Sequence, residues 1–434
     1  MQGTASRPRV RAAVIGGTGY GGAELIRLLL AHPGAELVRV TSIDSVGEPL
    51  EAVHRNLGRT GLVFEKMEPA AAAEGVDVVF LALPHKVSAT LAEALAGVSA
   101  RIIDLSGDFR LRDAADYKTF YGDEHPHPGH LDGRWVYGLP ELNGAAIRGA
   151  TRVASPGCFA TTIALGLLPL ARAGHLRGAV HTVAITGSSG SGAYASLGTH
   201  HPLRANNLKT YKVLSHQHRP EIEQTLRSAS PNPGEFSLAF VPVSAPLVRG
   251  ILANSFVPLA EGVDPQALFA EFYKDAPFVR VLGTKVQAEV VAVKGSMFVD
   301  LSWTLGKPEA GVRQLVKGAG GQIVVGVDKA AQGVDHHHPA GLRSGHPQLQ
   351  VLRHRRAARP PGPAPDDEPR RGSRRAAHVA DDRGARRQLG SDFGLPAAQQ
   401  ERAQALAQLR RGFGVALTLD RVSEALLELP VVAE

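Results

Sequence analysis

The sequence predicts an α/β protein: a parallel-sheet domain, then an α+β domain with a mixed sheet, then an irregular tail. Three observations carry this reading. Short apolar runs alternate with a helical pattern through roughly the first 150 residues, the order that gives a parallel sheet covered by helices. From Val180 onward the β-rich runs are longer and helices fall less regularly between them. Between Gly341 and Leu389 there is no Ile, Phe, Tyr, Trp or Met, so that stretch cannot bury enough apolar surface to fold by itself.

In the first part, Val10–Ile15 reads as a buried strand and Ala23–Leu30 as a helix that ends near His32-Pro33-Gly34. Further strands fit Glu36–Ile43, Val76–Leu83 and Arg101–Leu105. Continuous Val/Ile/Leu runs are what strands buried on both faces require. In the second part, strands fit Val180–Thr186, Phe236–Pro242, Gly250–Pro258 and Lys285–Val293, with helices at Thr161–Ala173, Pro220–Ser228 and Pro265–Lys274. No internal repeat is visible.

Between the first strand and helix lies Gly16-Gly17-Thr18-Gly19-Tyr20-Gly21-Gly22. The spacing Gly17-x-Gly19-x-x-Gly22 permits a tight turn and close approach of the backbone to a pyrophosphate, which the helix N-terminus then holds. The other reading is an ordinary glycine-rich turn. Asp44 ends the second strand, where an acid bonds a ribose 2′-hydroxyl and argues for NAD. Thr41 and Ser42 beside it are potential donors to a 2′-phosphate, and Asp44 is otherwise a turn cap.

Cys158 is the only cysteine. It follows the turn residues Ser155-Pro156-Gly157 and precedes the apolar run Ile163–Leu170. That places it at or near a helix N-terminus, where the dipole favours a thiolate; a lone Cys is otherwise a small buried hydrophobe. His216 and His218 are candidate bases, read as lying on the loop before a helix that Pro220 opens. His200-His201-Pro202 is a second histidine cluster. Gly187-Ser188-Ser189-Gly190-Ser191-Gly192 reads as a polar loop whose N–H groups suit an anion.

Composition sets the bounds. The chain has 434 residues, with 48 Lys+Arg against 41 Asp+Glu, a surplus too small to signal nucleic-acid binding. The tail from 331 to 434 holds 16 Arg, no Lys and 12 acids, so it supplies most of that surplus. A single cysteine excludes an internal disulfide framework and makes a reducing, cytoplasmic setting the default. No apolar run is long enough to span a bilayer. His336-His337-His338 lacks further spaced ligands, so no metal is expected. No Tyr has Lys four residues later, which excludes a dehydrogenase built on a Tyr-x-x-x-Lys pair. A non-catalytic nucleotide-binding regulator remains as a reading from another class; it needs neither Cys158 nor the histidines.

Five motifs in order resemble the N-acetyl-γ-glutamyl-phosphate reductase family: Gly16–Leu25, Leu105-Ser106-Gly107-Asp108-Phe109-Arg110-Leu111, Tyr137-Gly138-Leu139-Pro140-Glu141, Ser155-Pro156-Gly157-Cys158-Phe159 and His216-x-His218-x-Pro220-Glu221. The resemblance runs from about Arg9 to Gln322. It implies a Rossmann-type nucleotide domain, a dimerisation and catalytic domain, and NADPH-dependent reduction of an acyl phosphate through a Cys158 thioester. His218 would be the acid/base, with His216 supporting it. The coenzyme would meet Gly16, Gly17, Thr18, Gly19, Tyr20, Gly22, Thr41, Ser42, Ile43 and Lys317, and the substrate Arg110, Ser188, His201 and Tyr211. NADP is expected in spite of Asp44.

The resemblance has two branches, one serving arginine synthesis and one serving lysine synthesis with the substrate on a small acidic amino-group carrier protein. Gly187-Ser188-Ser189-Gly190 and His200-His201-Pro202-Leu203-Arg204 look more like the carrier-protein branch, making 2-aminoadipate 6-phosphate the expected substrate. A homodimer or homotetramer is implied, with no nucleic-acid or membrane partner.

The carboxyl end departs from the family. Lys317-Gly318-Ala319 is recognisable, but Arg313-Gln314 stands where the family has Asp-Asn, and the strand expected after Gly311 is missing. Ile323–Val327 reads as strand where the family has a helix. The tail has the composition of a GC-rich coding sequence read out of frame. The expected division is 1–155 nucleotide-binding, 156–312 catalytic and dimerisation, 313–330 a remnant of the return to the nucleotide domain, and 331–434 tail.

Overall fold

The computed structural model describes residues 9–306 and the backbone of 323–325. These form two seven-stranded sheets within one compact unit. Lys317, Arg313-Gln314, the His336–His338 run and the tail from 331 lie outside the described residues.

The first sheet holds β1 (Val10–Ile15), β2 (Ala35–Thr41), β3 (Phe64–Glu65), β4 (Val78–Leu81), β5 (Arg101–Asp104), β6 (Val136–Tyr137) and β7 (Arg152–Ala154). Its order is β3-β2-β1-β4-β5-β7-β6, and every pairing is parallel. Alternate residues of β1 enter different cores: Ala13 and Ile15 face one, Ala12 and Val14 the other. β4 divides in the same way, Val79 and Leu81 against Val78 and Phe80. Burial on both faces is why these strands read as unbroken apolar runs. All carboxyl ends lie along one edge, where ligands of such sheets bind.

The second sheet holds β8 (Gly178–Thr186), β9 (Lys209–Thr210), β10 (Phe236–Ser244), β11 (Ile251–Phe256), β12 (Val279–Gly283), β13 (Val299–Ser302) and β14 (Ile323–Val325). Its order is β12-β13-β14-β11-β8-β10-β9. β8 pairs parallel with β10 and antiparallel with β11, so the sheet is mixed. Along β8, Val180, Thr182, Ala184 and Thr186 are buried, and the residues between them are more accessible. The buried face packs on the Cys158–Arg172 helix, in which every residue except Arg172 is buried. Pro169 sits inside that helix and cannot bond the carbonyl of Leu165. The Tyr273 hydroxyl donates to that carbonyl instead, so this buried acceptor keeps a partner.

One sequence expectation is corrected here. Lys285–Val293 is not a strand: it contains only the short Val290–Val293 helix. Val286 and Val291 are 58% and 69% exposed, and the buried Ala288 and Val293 are five apart, so no period-2 face forms despite the valines. The strands of this region are β12 and β13, which the sequence reading passed over. The Ile323–Val327 run, read as strand, forms β14 at Ile323–Val325; the position after Gly311 lies outside the described residues. β14 occupies the gap between β11 and β13, with Ile251↔Val325 and Val299↔Val325 in register.

Candidate active site

The glycine turn joins β1 to the Tyr20–Ala31 helix, with Gly19 as N-cap. Gly16 and Gly17 donate their N–H groups to the Thr41 carbonyl at 3.2 and 3.0 Å, which locks the turn to the end of β2. A Cβ on Gly17 would fall 2.2 Å from Val40 Cγ1, and one on Gly22 would fall 2.7 Å from the Gly17 backbone. A Cβ on Gly19 would meet nothing within 4 Å. Two glycines therefore serve close packing and the third faces open space beside free helix N–H groups, an arrangement that fits a pyrophosphate. Thr18 is half-buried and Tyr20 exposed. Thr41 and Ser42 are buried, whereas Ile43 is 85% exposed.

On the same edge, β7 ends at Ala154 and the turn Ser155-Pro156-Gly157 leads into Cys158, the first residue of its helix. The Ser155 N–H donates to the Asp104 carbonyl at 2.8 Å, tying this turn to β5. His218 opens the His218–Ala229 helix; it is in the helix, while His216 remains in the loop before it. The His216 and His218 rings lie 4.7 Å apart, and both face the Phe159 ring. The His218 N–H donates to His216 Nδ1 at 3.1 Å. A Cβ on Gly157 would sit 2.3 Å from His218 Nε2, so the imidazole rests directly on the turn before Cys158. The Tyr211 ring meets His216 at 5.7 Å. Cys158, His216, His218 and Tyr211 are thus gathered in one place.

Arg110 is placed otherwise than expected. Its side chain is wholly buried. Nε donates to the Ser155 carbonyl at 2.7 Å and Nη2 to the Leu105 carbonyl at 2.8 Å. Nη1 stands 3.5 Å from His218 Nε2 and 3.8 Å from Glu221 Oε2. A long charged side chain after a polar turn suggests a substrate contact; here the fork geometry braces the backbone around the thiol.

The Ser188 loop is corrected as well. Ser188–Ser191 forms a 3-10 turn. The N–H groups of Gly187, Ser188 and Ser189 donate to the carbonyls of Gly250, Leu247 and Val248, so they are not available to an anion. His201 is exposed at the start of the short His201–Arg204 helix, and no ring contact joins it to His216 or His218 among the described residues.

Two residues quoted only within motifs prove central. Glu221 Oε1 accepts from the Gly157 N–H and the Tyr137 hydroxyl, both at 2.7 Å. Burial and the Glu221 charge push the Tyr137 phenol well up. Glu221 follows His218 by three residues, the helical spacing that puts both on one face; that signal was there to be read.

Beside this network, Asp104 is fully buried at the end of β5. Burial, and then the neighbouring Asp108, push its carboxyl up to about 6. Its folded value exceeds the unfolded one, so the group supports folding most at low pH, and this support is lost as pH rises through that range. An Asp104→Asn variant is therefore expected to gain about 3 kcal/mol relative to the parent between about pH 4 and pH 7. Denaturant titrations of both proteins across that range check it; a pH-independent difference would refute it.

The two parts of the site define a class: a dinucleotide-binding α/β protein that carries a helix-start thiol beside paired imidazoles. Residues 11–150 match the NAD binding domain of semialdehyde dehydrogenases, and residues 158–315 match the dimerisation domain of the same enzymes. The [LysW]-L-2-aminoadipate 6-phosphate reductase of Deinococcus radiodurans is 38% identical over 357 residues, covering 79% of this chain and 99% of that protein. The N-acetyl-gamma-glutamyl-phosphate reductase of Salinispora arenicola is 43% identical over 324 residues, covering 73% and 93%. Aspartate semialdehyde dehydrogenase II from Vibrio cholerae shares the fold at a TM-score of 0.55 and 14% identity, over 75% of this chain and 94% of that one. The chain belongs to the N-acetyl-γ-glutamyl-phosphate reductase family of semialdehyde dehydrogenases.

Proposed function

We propose that the chain reduces a carrier-protein-linked L-2-aminoadipate 6-phosphate to its semialdehyde, with NADPH as hydride donor, in lysine synthesis. The observation that carries this is the placement of Cys158 at a helix start, on the same sheet edge as the glycine turn. The branch rests on the near full-length similarity to the Deinococcus radiodurans reductase and on the Ser188 and His201 motifs. The arginine-synthesis reaction on N-acetyl-γ-glutamyl phosphate is the second reading, favoured by the 41–43% identities to such reductases. We assign the nucleotide domain to 1–155 and the catalytic and dimerisation domain to 156–312 together with Ile323–Val325, which pairs within the second sheet and not with the nucleotide domain. A homo-oligomer in the cytoplasm is the setting; no helix among the described residues is long and apolar enough to cross a membrane.

In this mechanism the Cys158 Sγ attacks the acyl carbon, and the carbon–oxygen bond to phosphate breaks with its electron pair leaving on phosphate. Gly16, Gly17, Thr18, Gly19, Tyr20, Gly22, Thr41, Ser42 and Ile43 would hold the coenzyme, with Lys317 added on the resemblance alone, and the coenzyme would supply the hydride. His218 gives a proton to the developing alkoxide oxygen and takes it back as the carbon–sulfur bond breaks to release the aldehyde. His216 fixes the His218 backbone, and Arg110 positions the imidazole from behind. Tyr211 lines the substrate side; Ser188 and His201 as substrate contacts rest on the resemblance alone.

Assays with carrier-linked aminoadipate semialdehyde and with N-acetylglutamate semialdehyde, each with phosphate and NADP+, decide the branch. Oxidation of the free acetylated substrate alone would reject the lysine reading. Gly157→Ala is expected to lower kcat about a hundredfold while the protein stays folded, because the new methyl displaces His218 by about 1 Å. An unchanged kcat would show that the His218 position is not critical.

A further inference from the structure

We infer that Asp44 is a coenzyme-selecting residue in this chain: its carboxylate faces the ribose 2′ position and weighs against a phosphate there. This rests on the dinucleotide reading above and sets the chemistry of Asp44 against the 2′-phosphate of the NADPH proposed there. β2 lies beside β1, and the bonds from Gly16 and Gly17 to the Thr41 carbonyl pin the end of β2 to the glycine turn. The chain after Thr41 therefore flanks the coenzyme crevice, where the ribose of a dinucleotide lies. Ser42 Oγ accepts from the N–H groups of Asp44 and Ser45 at 3.1 and 3.2 Å. This tight turn fixes the Asp44 backbone and leaves its side chain exposed.

The carboxylate is engaged from the second half of the chain. The Tyr194 hydroxyl donates to Asp44 Oδ2 at 3.4 Å, and the Asp44 charge is the first cause of the upward push on that phenol. The carboxylate has lone pairs left to accept a ribose 2′-hydroxyl. A 2′-phosphate brings between one and two further negative charges to the same place. The segment Thr41–Pro49 holds Asp44 and Glu48 and no Lys or Arg, so it offers no cation to such a phosphate.

The test is calorimetric titration of the full chain with NAD+ and with NADP+, repeated on Asp44→Asn, Asp44→Ser and Tyr194→Phe. Removing the charge is expected to raise the affinity for NADP+ relative to NAD+ at least about tenfold in both Asp44 variants, less at high salt. Tyr194→Phe keeps the carboxylate and is expected to move that ratio less than about threefold. A ratio unchanged in the Asp44 variants, with both coenzymes still bound, overturns the inference and leaves the coenzyme crevice standing. Failure of the parent to bind either dinucleotide overturns both.

Discussion

Cys158→Ser is expected to lower kcat/KM by about 10⁴-fold or more while leaving coenzyme binding intact. The reasoning is local. Cys158 is the first residue of a helix whose remaining body is buried, so the side chain cannot be replaced from elsewhere and the N–H groups of the first turn surround it. A serine there keeps the shape but offers a far poorer nucleophile at neutral pH. The measurement is oxidation of the semialdehyde with phosphate and NADP+, alongside coenzyme titration of the same preparation. Full activity in the variant would eliminate the covalent route through this thiol.

Arg110→Leu should produce the largest loss of stability, about 3–5 kcal/mol. The substitution leaves Glu221 buried without its cation and removes the donors to the carbonyls of Ser155 and Leu105. Arg110→Lys should recover only a small part, since an ammonium cannot reach both carbonyls in a fixed fork. Denaturant midpoints followed by circular dichroism give the answer. If the variants were as stable as the parent and raised only KM, Arg110 would face substrate after all, and the placement behind the turn would be wrong.

The contrast between these two residues shows what was legible. Position relative to turn signals placed Cys158, because Ser-Pro-Gly followed by an apolar run is local information. Gly17 and Gly22 were readable for the same reason: their spacing is a property of one turn. The role of Arg110 was not, since nothing local shows that the carbonyls of Leu105 and Ser155 converge on its guanidinium. The Ser188 turn misled in the same way; a glycine–serine run resembles an open loop until the carbonyls of 247–250 arrive to take its N–H groups. Lys285–Val293 had strand-like residues but no sheet position to fill, whereas the short runs at β12 and β13 had one. The core of the first sheet was the easiest part, because burial on both faces writes itself directly into residue type.

The position of β14 bears on how the protein is made. The strand nearest the carboxyl end of the second sheet is not at its margin but between β11 and β13. Until residues 323–325 emerge from the ribosome, β11 and β13 each present an unpaired backbone edge, the kind of surface on which nascent chains pair wrongly with one another. Emergence of this strand, and not completion of the thiol site at Cys158 and His218, is then the event that closes the sheet, and synthesis halted before Ile323 should yield a polypeptide prone to self-association.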